Sequence, residues 1–154
     1  MVKYVTDKEC ISLSDLANFV KFVDKDFTPP LLGRVDIDAW LCKIYATGSM
    51  VLAMNEDDII GCLLFYANDL TSKEGYISYL VVDARYRGQG IAKSLLNECF
   101  KISRYNGMTT IKVFTNNPIA SSLYQQAGFY VVSEEPIEEY GVVNVSLKKI
   151  LWIS

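Results

Sequence analysis

Apolar positions along the chain follow two different periods, and the switches between them mark out the elements. Val2 to Val5 is a short stretch of strand character. Ser12-Leu13-Ser14-Asp15 then offers side-chain oxygens suited to a helix N-terminus, and Leu16, Phe19, Val20 and Val23 recur at helical spacing. The helix is predicted to stop before Thr28-Pro29-Pro30, because the residue ahead of a proline avoids the α region. After a loop through Gly33, the residues Trp40, Leu41, Ile44 and Tyr45 predict a second, short helix ended by Gly48 in the left-handed conformation. From Ser49 the period shortens. Positions 50–54 and 59–66 read as a hairpin around Asn55-Glu56-Asp57-Asp58, and 76–82 is a third strand, apolar enough toward its end to be central.

The helical period returns with Ile91, Ala92, Leu95, Leu96, Cys99 and Ile102 on one face, against Lys93, Ser94, Asn97, Glu98 and Lys101 on the other, until Gly107. Positions 110–115 form a strand, and Ile119, Ala120, Leu123, Tyr124 and Ala127 line a short helix that Gly128 caps. Two last strands, about 130–132 and 142–148, bracket the acidic segment Glu134-Glu135-Pro136-Ile137-Glu138-Glu139. The order β-α-α-β-β-β-α-β-α-β-β predicts an α/β sandwich on a mixed sheet.

The 154 residues suit one domain, 1–154. A net charge of −3 and a pI near 5.0 give no broad basic face, so no nucleic-acid partner is expected. Histidine is absent, which removes Ser-His-Asp and Cys-His nucleophile systems and every His-containing metal site. Cys10, Cys42, Cys62 and Cys99 form no C-x-x-C pair, and each sits in an apolar stretch, as small buried hydrophobes in a reducing compartment do; no metal is expected. With no signal-like apolar segment at the start and no run near ~20 apolar residues, the expectation is a soluble, cytoplasmic protein without a membrane partner.

The chemistry concentrates where the third strand of the group runs through Leu80-Val81-Val82-Asp83-Ala84-Arg85-Tyr86-Arg87-Gly88-Gln89-Gly90 into Ile91-Ala92-Lys93. A basic, glycine-bearing turn that opens a helix presents successive N–H groups, the partial positive charge of the helix N-terminus, and here Arg85, Arg87 and Lys93 as well. That suits a phosphate or pyrophosphate. The glycines alone fit equally a plain strand-to-helix turn that needs positive φ. A third Rossmann glycine is missing, since Lys93 holds its position, and no P-loop sequence occurs.

The chain resembles the GNAT superfamily of acyl-CoA-dependent N-acetyltransferases. Arg85-Tyr86-Arg87-Gly88-Gln89-Gly90 matches the signature R/Q-x-x-G-x-G/A, and Asn117, Ala120, Leu123, Tyr124, Gly128 and Phe129 match N-x-x-A-x-x-L/F-Y-x-x-x-G-F. The predicted element order agrees with that family over nearly the whole chain, although 1–48 match in pattern rather than in motif. The resemblance implies a mostly antiparallel sheet with helices on both faces and acetyl-CoA as cosubstrate. It implies that amides from Arg87 to Ala92, Gln89 among them, hold the pyrophosphate, and that the backbone about Leu80, Val81 and Val82 pairs with the pantetheine arm. Lys93 and Asn117 would also touch the cofactor, and Tyr124 would act as general acid toward the departing thiolate. Amine attack on a thioester needs its oxyanion met by a donor, plausibly the Val82 N–H, and its leaving sulfur protonated. Read without the motif, Tyr124 is a core aromatic of its helix face before it is an acid; within the motif the order reverses.

The general base is less defined. A protonated alkyl amine must lose a proton before attack. The mid-strand positions are Ser78 and Tyr79, so Glu74 at the strand entry, Glu134 or Glu135, or a water relayed by Ser78 or Tyr79 are the alternatives. Phe27, Pro29, Pro30, Leu31, Tyr66, Tyr76, Tyr79 and Tyr140 are the expected lining of the acceptor pocket, and the acidic segment either attracts a cationic acceptor or is simply solvated. A small-molecule or peptide amine is the expected acceptor, by direct transfer rather than through an acyl-cysteine. The rival readings are a non-catalytic acyl-CoA-binding regulatory domain and a generic phosphate-ligand binder. Edge strands leave a homodimer open.

Overall fold

The computed structural model describes residues 1–26 and 36–151. Seven strands form one sheet: β1 (Val2–Val5), β2 (Ser49–Asn55), β3 (Asp58–Tyr66), β4 (Glu74–Val82), β5 (Thr110–Thr115), β6 (Tyr130–Ile137) and β7 (Val142–Ile150). Among the described residues four α-helices join them: α1 (Leu13–Val23), α2 (Ile37–Thr47), α3 (Ile91–Tyr105) and α4 (Pro118–Gln126). The spatial order is β1-β2-β3-β4-β5-β7-β6, so β4 is the middle strand, as its apolar run predicts. Every neighbouring pair is antiparallel except β4 with β5. No helix among the described residues is long and apolar enough to cross a membrane.

Period-two alternation divides the strands between two cores. On one face Leu63, Phe65, Ile77, Val82, Ile111, Val113 and Leu147 meet Leu95, Leu96, Cys99 and Phe100 of α3 and Tyr124 of α4. On the other, Cys62, Leu64, Tyr79 and Val81 meet Leu16, Phe19 and Val20 of α1 and Leu41 and Ile44 of α2. The predicted cap of α1 holds, the Ser12 hydroxyl accepting from Asp15 N–H at 3.2 Å, and α2 is capped by Asp36, whose Oδ1 accepts from Ala39 N–H at 3.1 Å.

Four expectations change. Gly48 is extended (φ −99°, ψ −167°), not left-handed; a Cβ there would stand 3.0 Å from the carbonyls of Ile44 and Phe65, so close packing is what calls for glycine. β6 runs to Ile137 and absorbs Glu134, Glu135 and Pro136, because an edge strand tolerates charge and proline that a central strand rejects. β4 begins at Glu74 rather than Tyr76. Cys62 and Cys99 are buried as expected, whereas Cys10 and Cys42 are exposed.

Candidate active site

The middle of the sheet is deliberately incomplete. The β4–β5 ladder has four rungs, Glu74↔Thr110 to Ile77↔Val113, and stops, although β5 continues beside β7 as far as Thr115↔Val145. On the other side, β4 stays with β3, but the register jumps from Leu64↔Tyr79 to Phe65↔Ile77, leaving Ser78 as the extra residue of a bulge. The bulge bends β4 away from β5. From Ser78 onward one edge of β4 therefore faces a gap.

The orientation of its peptide groups follows from the ladder. Asp83 N–H donates to the Ile60 carbonyl at 2.8 Å, and in an antiparallel pair the bonded positions alternate, so Val81 turns toward β3 while Leu80 and Val82 turn toward the gap. The Val82 carbonyl indeed accepts from Arg87 Nε at 3.2 Å. These two residues expose strand hydrogen-bonding groups inside the fold, where an extended chain can pair with them.

At the end of the gap lies the glycine-bearing turn. Gly88 (φ +80°) and Gly90 (φ +78°) are both left-handed, and a Cβ built on either meets nothing within 4 Å, so the space above them is open. Gly90 is also the N-cap of α3, and its carbonyl accepts from Ser94 N–H, which leaves the amides of Ile91, Ala92 and Lys93 without acceptors in their own helix. The turn thus offers what an anion needs: free amides, glycines that admit close approach, and a helix N-terminus.

Its arginines divide unexpectedly. Arg85 turns to the buried carboxylate of Asp83, Nε to Oδ1 at 3.2 Å and Nη2 to Oδ2 at 2.7 Å, and lies over the rings of Phe22 and Tyr86. This pairing holds the Asp83 carboxyl below its usual range. Arg85 therefore anchors the turn through the Asp83 carboxylate. Arg87 combines its bond to Val82 with an ion pair to Asp26 at 3.5 Å, and Lys93 is exposed at the first turn of α3.

Tyr124 stands on α4, 4% exposed, edge-on to Phe129 with ring centroids 5.3 Å apart. Burial above all, with Cys99 and Tyr76 nearby, pushes its phenol far above the ordinary range, so it stays a proton donor throughout the neutral region. The core reading and the acid reading of Tyr124 are compatible: the packing fixes the ring and the same burial keeps the proton on. Asn117 is the N-cap of α4, its Oδ1 accepting from Ile119 and Ala120 N–H at 2.9 and 3.4 Å; its oxygen is committed to that helix.

Glu74 is not placed as a base. Lys148 Nζ donates to its Oε2 at 2.8 Å, Lys112 Nζ lies 3.5 Å from Oε1, and the Thr110 hydroxyl adds a bond of 3.3 Å. The Lys148 contact, helped by Lys112 and Thr110, holds the carboxyl below its usual range, the reverse of what a base near neutral pH requires. Glu134 and Glu135 are exposed on the edge strand. Ser78 sits half-buried at the bulge, and Tyr79 is buried edge-on against Trp40 at 5.3 Å.

The expected acceptor lining does not form one surface. Phe27, Pro29, Pro30 and Leu31 lie outside the described residues. Tyr66 and Tyr79 belong to the core under α1 and α2, Tyr140 is at the β6–β7 turn, and Tyr76 pairs with Phe114, centroids 6.1 Å apart, on the sheet face beside the gap. Asp26 and the Asp83–Arg85 pair are the participants the sequence reading missed. Short local spacing was a usable signal for Asp83; Asp26, far from Arg87 in sequence, carried none. Burial pushes the Cys62 and Cys99 thiols up, away from the thiolate.

Residues 16–129 match the family model described as the Acetyltransferase (GNAT) family, and the chain belongs to that family. It is 35% identical over 81 residues to an uncharacterized N-acetyltransferase, YycN, of Bacillus subtilis; the match spans about half of each chain, 51% of this one and 52% of that one. Among solved structures it resembles the ribosomal-protein-S18-alanine N-acetyltransferase of Escherichia coli (TM-score 0.79, 14% identity, 100% of this chain and 96% of that chain). It also resembles a GNAT-family acetyltransferase of Streptococcus pneumoniae (TM-score 0.77, 19% identity, 97% and 99%). A structure described as a streptothricin acetyltransferase of Bacillus anthracis, solved with acetyl coenzyme A, matches over 68% of this chain and 62% of that one (TM-score 0.60, 22% identity). At these identities the structural matches establish the shared fold.

Proposed function

We propose that this protein is an acetyl-CoA-dependent N-acetyltransferase that transfers the acetyl group directly to a primary amine. The gap beside β4 carries the proposal: it presents the peptide groups of Leu80 and Val82 in line with the cradle of Gly88, Gly90 and the first amides of α3. A ligand with an extended amide arm and a pyrophosphate fits both at once; a nucleotide without such an arm uses only the cradle. The thioester supplies the activated acyl group. Residues Arg87, Gly88, Gln89, Gly90, Ile91, Ala92 and Lys93 hold the anion, and the Val82 N–H is the donor for the developing oxyanion. Tyr124, kept protonated by burial, gives its proton to the leaving sulfur. With Glu74 committed to lysines, the amine's proton leaves through water at Ser78 or the Tyr79 side of the gap.

A thermal-shift titration with acetyl-CoA, CoA and ATP tests the cofactor assignment. A ligand at 100 times its Kd stabilises the folded state by about 2.7 kcal/mol, several degrees for a domain of this size. Acetyl-CoA and CoA are expected to raise the melting temperature and ATP is not; no shift with either CoA species at millimolar concentration removes the assignment. Amine-dependent thiol release then separates an enzyme from a domain that only binds the cofactor.

A further inference from the structure

On the sheet face opposite α3 and α4, α1 and α2 pack over β2 and β3, and among the described residues no helix lies over β5, β7 and β6. Phe114, Tyr130 and Ile150 are each about half exposed there. This open face adjoins the gap, so an acceptor that reaches the thioester from the side away from Tyr124 crosses it. Its polar content is unusual. Lys112 and Lys148, opposite one another in the β5–β7 register, both turn their ammonium groups to the one carboxylate of Glu74. Two cations share one anion, and a charge of +1 is left over on a surface whose other near neighbours are Thr110, Tyr76, Phe114, Ser146 and Tyr130, all uncharged. Among the described residues of β5, β6 and β7, the acid on this face is Glu135, level with Asn144, four residues of β7 and thus about 13 Å from Lys148.

We propose that Lys112 and Lys148 form an anion subsite for the acceptor, and that the preferred acceptors are amines carrying a carboxylate separated from the amine by one ring or a short chain. The proposal rests on the acetyl-transfer reading. Lys112 lies level with Tyr76, and the four residues from Tyr76 to Leu80 span about 13 Å of strand. The lysine stems cover part of that distance, and the tilted Tyr76–Phe114 pair occupies the middle of it. An acceptor lying there sets its amine at the gap, its apolar body on the two rings and its carboxylate on the lysines. Glu74 half-neutralises the two ammonium groups, so an acceptor carboxylate competes with it for them. The acidic β6–β7 segment, by contrast, is dispersed along an exposed edge and gathers no convergent pocket for a cation.

Steady-state thiol release at saturating acetyl-CoA, with the pairs 4-(aminomethyl)benzoate and benzylamine, and 6-aminohexanoate and hexylamine, tests it. The carboxylated member is expected to have the higher kcat/KM by about tenfold, the size of one charge-assisted contact, through KM rather than kcat. The double variant K112Q/K148Q is expected to bring the ratio toward one. Glu74→Gln is expected to widen the ratio, because it removes the competing carboxylate; a merely structural ion cluster predicts no gain, and so guards against a double variant that fails to fold. Equal or better use of the uncharged partners, or an unchanged ratio in Glu74→Gln, overturns the subsite. If acetyl-CoA binds but no amine of either kind releases thiol, the transfer reading is what fails. The subsite is then judged by calorimetry of 4-(aminomethyl)benzoate on the CoA-loaded protein: heat lost in K112Q/K148Q upholds it, and no heat with the wild type overturns it.

Discussion

Tyr124 and Glu74 show how surroundings hold one ionisable side chain in its neutral form and another in its charged form. Tyr124 is buried with Phe129 against its ring and Cys99 nearby, and burial disfavours the charged form of its phenol. Tyr124→Phe keeps the ring and its packing and removes only the proton, so turnover should fall by about 10²-fold or more, the range of general-acid assistance, while acetyl-CoA affinity stays within twofold. Pre-steady-state thiol release and calorimetry measure the two; unchanged turnover with chemistry rate-limiting removes Tyr124 from the mechanism. Glu74 is the contrary case, a carboxyl stabilised in its charged form. Because its folded value is depressed, its contribution to stability is present above the unfolded value of about 4.3 and is lost as pH falls through the lower folded value. Lys148 is raised by the same contact, and its contribution is present below about 10.4 and lost as pH rises through the folded value. The ion cluster therefore stabilises between these limits. Melting curves of Glu74→Gln and wild type should converge below about pH 4 and differ at neutrality; a constant difference across that range contradicts the assignment.

At the level of elements, the unpaired length of β4 makes a prediction by alternation. Leu80 and Val82 face the gap and Val81 faces β3, so the amides of Leu80 and Val82 should exchange with solvent faster than that of Val81 in the free protein. Acetyl-CoA should slow Leu80 or Val82 and leave Val81 unchanged, and ATP should protect neither; protection of all three alike points to general tightening instead of strand-like pairing. Hydrogen exchange read residue by residue by NMR decides this. The strand itself, its central place and the helix after it were legible in the sequence, because apolar alternation and the run 77–82 follow local rules. The gap was not, since it depends on where one ladder stops and on an extra residue at Ser78, and neither leaves a mark in composition. Glycines at Gly88 and Gly90 were legible for the same local reason, positive φ. The lysine partners of Glu74 are set by strands distant in sequence and the exposure of Cys42 by which face of α2 meets solvent, so pattern reading reached neither, whereas the Asp83 partner of Arg85 lies two residues away and was open to it.

Across the whole molecule, the two helical layers meet the glycine-bearing turn from different sides, and Arg87 is where they touch. α3 grows out of the turn, while Asp26, in the 3-10 turn that follows α1, reaches across the end of β4 to pair with Arg87. Arg87 thus has three claimants: the Val82 carbonyl, Asp26 and any anion above Gly88 and Gly90. The carboxylate and the anion compete for one guanidinium, and the overall charge of −3 adds no compensating attraction for a polyanion. A half-exposed ion pair is worth roughly 0–1 kcal/mol. Asp26→Asn should therefore strengthen acetyl-CoA binding by up to about fivefold, the equivalent of that energy, and Arg87→Ala should weaken it. Raising salt toward about 1 M, where the screening length shrinks to near 3 Å, should erase the difference between Asp26→Asn and wild type. Calorimetry of the three proteins at two salt concentrations reads the competition directly. Weaker binding by Asp26→Asn at low salt means that Asp26 positions Arg87 for the anion instead of withholding it, and that the α1 layer supports the cofactor turn.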